Sequence, residues 1–428
     1  MEKWIEKHIK DAENKFALDD YRFHSYSLHR SGSSANETIY TLSLEWFPNH
    51  APVVNEDEGS NPTGTAVIRI NLNTNLYDSV IFVQGESFAG ENGVTFSLND
   101  EAEIIRWIER ETGMKHGSQF ERDTRGKDKP GFRYRSIYNG IRTSPSGSIS
   151  IELDQEGKLV FYSVIGPFPM VETISEDQFT LTFKEVEPLI LEQLQLTEFP
   201  ITNKKKWVSA YGLEEFYATV QDVRKIEIKT IMNENNSQIV MDRLLEWEEP
   251  LVNDFKSQPV YFSEEITVEQ VIAKEQHPEL IIINESEAEE CIKTVVNFMR
   301  KVYADQSGQW MLSTLRRERA FIFAELRPVA QDIRLLKRKL RVVIDNTTFE
   351  VINMMDSEAF FAMFEGYDPA GEVIVNQEEA FAKLVEHIEI DPIYVYDSSS
   401  KSYIFCGRVD CKYGVNATTG EVVELNSL

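Results

Sequence analysis

A chain of 428 residues is too long for one hydrophobic core and predicts several domains of ordinary size. Hydrophobic residues make up 42% and aromatics 11%, enough apolar surface for real cores, which argues against global disorder. The formal net charge of −27 argues against a nucleic-acid backbone or an anionic membrane surface as the main partner.

Residues 1–16 read MEKWIEKHIKDAENKF, charged throughout, and the spacing of Trp4, Ile5, Ile9, Ala12 and Phe16 predicts an amphipathic helix. They contain no apolar core or small-residue cleavage site of a signal peptide, and no apolar run in the chain reaches bilayer length. The expectation is therefore a cytoplasmic protein without a membrane span. Its three cysteines, Cys291, Cys406 and Cys411, suit a reducing compartment better than a disulfide framework.

Alternation predicts strands at Tyr21–His29 and Thr38–Phe47, and the run AVIRINLNTNLYDSVIFV predicts two more around Asn73-Thr74-Asn75. Between them lies a polar loop, PNHAPVVNEDEGSNPTG. Ser97 or Asn99 is positioned to cap a helix carrying Ala102, Ile104, Ile105, Trp107 and Ile108, stopped at Thr112-Gly113. The charged segment HGSQFERDTRGKDKP reads as loop. Residues 131–166 then give short alternating runs separated by Asn139-Gly140, Ser144-Pro145-Ser146-Gly147 and Asp154-Gln155-Glu156-Gly157. In the central run Ile149, Ile151 and Leu153 share one face, the pattern of an antiparallel strand with one buried side.

Ser175 and Gln178 form a candidate capping box, and Pro188 predicts a break in the helical pattern that follows. LEEFYATVQDVRKIEIKTIMN reads as helix passing into strand, and residues 233–278 as an irregular acidic connection with a short helix near Val268–Lys274. A long helix holds Ala288, Cys291, Ile292, Val295, Met299 and Val302, with Ser286 and Glu289 as its capping box. Strands follow at Gln309–Leu315, Arg319–Leu326 and Leu340–Ile344, then in FEVINMM. Asn376 and Glu379 cap a last helix with Ala380, Phe381, Leu384, Val385 and Ile388. The closing strands are Ile393–Tyr396, Ser402–Arg408, Lys412–Val415 and EVVEL.

Four segments share one ending: IRINLNTNLYDSVIFV, ISIELDQEGKLVFYSV, LRVVIDNTTFEVINMM and KYGVNATTGEVVEL. Each is a strand, a polar turn and a strand, preceded at some distance by an amphipathic helix. This internal repetition predicts an α+β, multi-domain chain in which helices pack on antiparallel sheets. The units run over 1–90, 91–171, 281–370 and 371–428, with a helical and mixed connection over 172–280.

The hairpin residues Asn139-Gly140-Ile141, Ser148–Asp154, Gly157-Lys158-Leu159 and Val415–Val423 resemble the repeated-domain family known as YcdB/YcdC, related to the PepSY-type modules of bacterial propeptides. Ile174-Ser175-Glu176 and Val375–Ala380 resemble the helix starts of that family. The resemblance covers about half of the chain, and its motifs are short. It implies a PepSY- or cystatin-like fold and a noncatalytic module, one that in propeptides binds and inhibits the attached peptidase and assists its folding. The chain departs from that setting in having neither an HExxH motif nor a secretion signal.

No Gly-rich phosphate loop and no GxSxG elbow is present, and the histidines His8, His24, His29, His50, His116, His277 and His387 are not at metal-ligand spacing. No cofactor, metal or catalytic residue is therefore expected. Cys406 and Cys411 flank four residues, so a hairpin can bring them together, but the expectation is two separately packed thiols, because free cysteine packs like a small hydrophobe. The basic runs Lys204-Lys205-Lys206 and Arg334–Arg341 read as solvated faces, the second also as a docking surface for an acidic partner. Aromatics crowd two hairpins, and Tyr134, Tyr138, Phe161, Tyr394, Tyr396 and Tyr403 are the candidate surface for an extended peptide. The expected function is noncatalytic binding of a protein or peptide at a sheet edge, inhibitor-like. The alternative is an enzyme whose Glu, Asp, Tyr and His side chains, distant in sequence, meet between domains.

Overall fold

The turn chemistry of the hairpins is the clearest link from sequence to fold. The computed structural model describes residues 2–33, 36–51, 61–98, 100–124, 131–169, 174, 178–226, 238–262, 265–330, 332–397 and 400–427. The chain is α+β with antiparallel sheets, and it divides into two compact units. The first draws on Met1–Ser175, Glu264–Glu275 and Tyr394–Tyr403, the second on Glu176–Ser263, Gln276–Ile393 and Ile404–Leu428. The division at 90, 171, 280 and 370 follows sequence order, whereas each compact unit gathers segments far apart in the chain.

In the first unit, α1 (Lys3–Phe16) buries Ile5, Ile9, Ala12 and Phe16, the face read from its spacing. Strands β1 (Tyr21–Gly32), β2 (Thr38–Pro48), β3 (Ala66–Asn71) and β4 (Leu76–Phe82) form a meander. Helix α2 (Glu101–Thr112) ends at Gly113, whose φ of 74° suits a residue without Cβ. Its cap is Asp100, which accepts the Glu103 N–H, rather than Ser97, whose own N–H donates to Glu103 Oε2 at 3.1 Å. The other cap expected from sequence, Asn99, lies outside the described residues. Next come β5 (Phe120–Arg122), set within the expected loop, then β6 (Phe132–Tyr138), β7 (Ile141–Ser144), β8 (Ser148–Leu153) and β9 (Leu159–Ile165).

Asn139 and Gly140 both take positive φ, 47° and 82°, as a two-residue hairpin turn requires. At the β8–β9 turn the Asp154 carboxylate accepts the N–H groups of Glu156 and Lys158. There Gly157 sits so close to Phe96 that a Cβ would lie 2.1 Å from its carbonyl oxygen. The strands run in the order β1-β2-β3-β4-β9-β8-β6. One core unites Ile5, Ile9 and Phe16 of α1, Ile104, Trp107 and Ile108 of α2, and Leu42, Leu44, Trp46, Ile149 and Ile151 of the strands. Each such fully buried side chain contributes about 1.5–3 kcal/mol. Ile266, just before the short helix Val268–Ile272, joins this core and donates its N–H to Leu28 of β1 at 2.9 Å.

In the second unit, the candidate box at Ser175 lies outside the described residues, and α3 (Phe183–Gln193) is capped instead by Thr182 with Glu185. It runs through Pro188 without a break, anchored by buried Val186 and Ile190 on either side of the proline. Strands β10 (Leu194–Ile201), β11 (Lys206–Leu213), β12 (Phe216–Thr219) and β13 (Lys225–Ile226) follow. The segment expected to be helix after Leu213 is therefore strand. Phe216 and Ala218 alternate into the core while Tyr217 points away, a two-residue period that helical spacing masked. The connection expected to be irregular contains β14 (Gln238–Leu245), a mostly exposed edge strand whose apolar run QIVMDRLL lacks the alternation that marks the other strands.

Helix α4 (Glu285–Val302) buries Ala288, Cys291, Ile292, Val295, Phe298 and Met299. Its capping box is Asn284 with Glu287, two residues ahead of the Ser286–Glu289 pair expected. Strands β15 (Trp310–Glu318), β16 (Phe321–Pro328), β17 (Leu340–Asp345) and β18 (Val351–Asp356) pair in sequence after β14 to make a five-stranded sheet. Helix α5 (Gln377–Leu384) starts at the expected box of Asn376 and Glu379. Strand β19 (Glu389–Asp397) and β20 (Ser402–Asp410) follow, with β20 pairing β12, and then β21 (Tyr413–Asn416) and β22 (Val422–Glu424). A four-stranded sheet runs β10-β11-β21-β22. No helix among the described residues is long and apolar enough to cross a membrane.

Candidate functional site

The aromatic residues picked out from sequence are interior groups, with one partial exception. Tyr134, Tyr138, Tyr394, Tyr396 and Tyr403 are all buried, and Phe161 is half-buried opposite Ile81 of β4. Tyr134 donates its hydroxyl to Glu101 at 3.0 Å and meets Phe120 edge-on, while burial and the Glu101 charge raise its phenol above the ordinary range. Tyr138 meets Tyr394 edge-on at 5.5 Å, and Tyr396 meets Tyr403 at 5.3 Å. The expected aromatic surface is thus corrected: these rings fill cores and cross-strand contacts, as their large apolar area favours.

The three thiols are free and buried. Burial pushes Cys291 and Cys406 up to about 12, so neither ionises near neutral pH. Cys406 Sγ faces the Ile404 carbonyl and Cys411 Sγ the Tyr413 carbonyl, separate contacts of two small apolar side chains. His24 stacks on Phe47 at 3.9 Å, and His29 Nε2 is 2.9 Å from Ser27 Oγ. Among the described residues no group of three or more His, Cys, Asp or Glu side chains is arranged to hold a metal ion.

What sequence order does not display is the concentration of charge on the five-stranded sheet. Strands β15, β16 and β17 send Leu312, Leu315, Ile322, Ala324, Leu326, Leu340, Val342 and Ile344 into the core shared with α4. Strand alternation therefore turns Arg316, Phe323, Glu325, Arg327 and Arg341 to the opposite face. There, with Lys337, Arg338 and Lys339 from the approach to β17, they line a depression of about 520 Å³ that β14 borders through Gln238, Val240 and Asp242. Six cationic and two acidic side chains line it, and Glu318, Asp356 and Glu358 beside it pair with Arg316 and Arg338, which leaves a small local excess of positive charge in a chain of net charge −27.

Arg316 pairs with Glu318 at 2.6 Å and Lys337 donates to the Asp332 carbonyl, and the other four cations are positioned in three ways. Arg338 is locked: its guanidinium grips Asp356 through two bonds of 3.2 and 2.7 Å, reaches Glu358 at 2.7 Å and lies 4.9 Å from the Trp310 ring. Burial by itself raises Asp356, yet the bonds from Arg338, the Glu358 N–H and the Tyr303 hydroxyl outweigh it and hold the carboxyl below its usual range. Lys339 and Arg341 converge on Glu325 at 3.3 and 3.4 Å, with Arg341 also resting over Phe323. Arg327, on β16, reaches across β15 to Asp242 of β14 at 3.4 Å, a bond made possible by the bulge that displaces Asp242.

A second depression of about 540 Å³ shares Lys337 and Arg338 with the first and continues past Leu336 to Glu358 and Phe361. A third, lined by Trp207, Phe361, Phe364 and Tyr367, shares Arg334, Glu358 and Phe361 with the second. Leu335, Phe360 and Met363 are exposed nearby in sequence. The sequence signal for this site was the basic run Arg334–Arg341; the contributions of Arg316 and Arg327 came only with strand pairing.

No family model matches the chain, and no curated protein matches it. Among solved structures, the Bacillus megaterium YpeB C-terminal domain aligns at 9% sequence identity and a TM-score of 0.24, over 83% of this chain and 97% of that one.

Proposed function

We propose that this chain is a noncatalytic binding module that receives an extended peptide segment of a protein partner beside β14. The observation that carries the reading is the open depression bordered by β14, where a cluster of cations adjoins the exposed Val240 and Leu244, 47% and 42% accessible. A strand edge next to side-chain pockets is the arrangement by which sheets take up extended segments. Three of the other edge strands, β1, β18 and β10, already carry bonds from elsewhere in the chain. Ile266 bonds to β1, Gln258 to Ile352 of β18, and Glu198 of β10 to both Ile333 and Leu335. The PepSY-like hairpins contribute to this reading their partner-binding, noncatalytic and inhibitor-like character, within repeated helix-on-sheet units. The test is enrichment of peptides from a random display library on the full chain, followed by amide hydrogen exchange. Protection of residues 238–245 by an enriched peptide is expected; no enrichment, or protection confined to other strands, sinks the reading.

A further inference from the structure

Within that reading, on which this step rests, we infer that the segment taken up is acidic: its carboxylates displace Asp242 from Arg327 and Glu325 from Lys339 and Arg341. Three observations converge on a carboxylate-bearing ligand. With Arg338 held by Asp356 and Glu358 and Arg316 by Glu318, the depression still sets Arg327, Lys337, Lys339 and Arg341 against Asp242 and Glu325, inside a chain of net charge −27. The two acids already present mark where ligand carboxylates sit, one beside the β14 edge at Asp242 and one deeper at Glu325. The pairs holding them are exchangeable, because Arg327 and Lys339 keep 37% and 60% of their side-chain surface in water, where ion pairs contribute little.

The same surface is poorly made for other polyanions. Binding single-stranded nucleic acid favours exposed aromatic platforms, whereas Phe323 is 4% exposed beneath Arg341 and Phe262. Arg338, whose fork suits a phosphate, is committed to Asp356 and Glu358. An acidic peptide in extended form instead matches the strand border. Its alternate side chains fall on one face, so that every second residue can meet the cations and Val240, which line the same depression.

The experiment uses the full chain and a labelled peptide of about ten residues alternating Glu and Val, read by fluorescence anisotropy. Its comparisons are the same peptide with Gln at every Glu, inorganic polyphosphate, and vesicles of mixed phosphatidylserine and phosphatidylcholine. The Glu peptide is expected to bind about tenfold or more tightly than the Gln peptide, with affinity falling as salt screens the groove. The triple variant Arg327→Glu/Lys339→Glu/Arg341→Glu should abolish that preference, and the single Arg327→Gln should weaken it while keeping the fold, checked by circular dichroism. Reversal of an exposed charge in the other unit, Arg106→Glu, should change nothing. Equal binding of Glu and Gln peptides overturns the acidic ligand but leaves peptide binding standing. Binding of neither peptide overturns both. Tighter binding of polyphosphate or vesicles, lost in the triple variant, overturns the acidic peptide in favour of that ligand.

Discussion

Asp78 is the extra residue of a bulge in β4, since Arg69 pairs with Ser79 and Ile70 with Tyr77. Burial pushes its carboxyl from 3.8 up to about 6, only partly offset by a hydrogen bond from Asn71 and the charge of Arg69. A raised acid binds its proton more tightly in the folded state. It therefore costs nothing below the unfolded value of 3.8, and stability falls as pH rises from there through about 6. Asp78→Asn should raise the Tm near pH 7.5, by about 1 kcal/mol equivalent after solvent screening, and leave it unchanged near pH 4. An equal shift at both pH values would contradict the burial argument. The thiols give a second residue-scale expectation. Burial holds Cys291 and Cys406 protonated, so an aromatic disulfide reagent near pH 8 should label neither until denaturant is added.

At the scale of elements, the start of α4 shows how a tertiary contact chooses among local signals. The sequence points to Ser286 with Glu289, and the pair used is Asn284 with Glu287. Glu287 also receives the guanidinium of buried Arg317 at 2.7 Å, and Arg317 further donates to the Ile281 carbonyl. Neither bond is visible in a window of sequence around the helix. Asn284→Ala should cost about 1 kcal/mol, the loss of a cap. Glu287→Ala should cost about 3 kcal/mol or more, because it strips the cap and leaves Arg317 buried without its carboxylate. Urea denaturation separates the two; equal costs would mean that Arg317 finds water when Glu287 is lost. By contrast, α5 was legible as it stands, since Asn376 and Glu379 have no competing pair.

At the scale of the molecule, the first unit is not a contiguous stretch. Residues 264–275 return to bury Ile266 and pack Val268 and Val271 on its core, and 394–403 bring back Tyr394 against Tyr138. A fragment of residues 1–175 lacks these and should expose apolar surface. It should bind a hydrophobic dye and melt below the corresponding transition of the full chain, and adding residues 264–275 through a linker should recover part of the loss. A fragment as stable as the full chain would show the returning segments to be dispensable.

The sequence by itself determined the elements whose signals are local. Turn pairs such as Asn139-Gly140, the apolar stripes of α1 and α4, and the alternation of β8 depend on neighbours one to four residues away. These suffice for an α+β chain of antiparallel sheets. Tertiary structure alone decided which alternating face was wet and which strands lay side by side. It turned the tyrosines of the two hairpins inward, because their rings had apolar partners from distant segments. It assembled Arg316, Arg327, Lys339 and Arg341 into one groove, because a strand fixes the side on which a charge emerges but only pairing fixes what stands beside it.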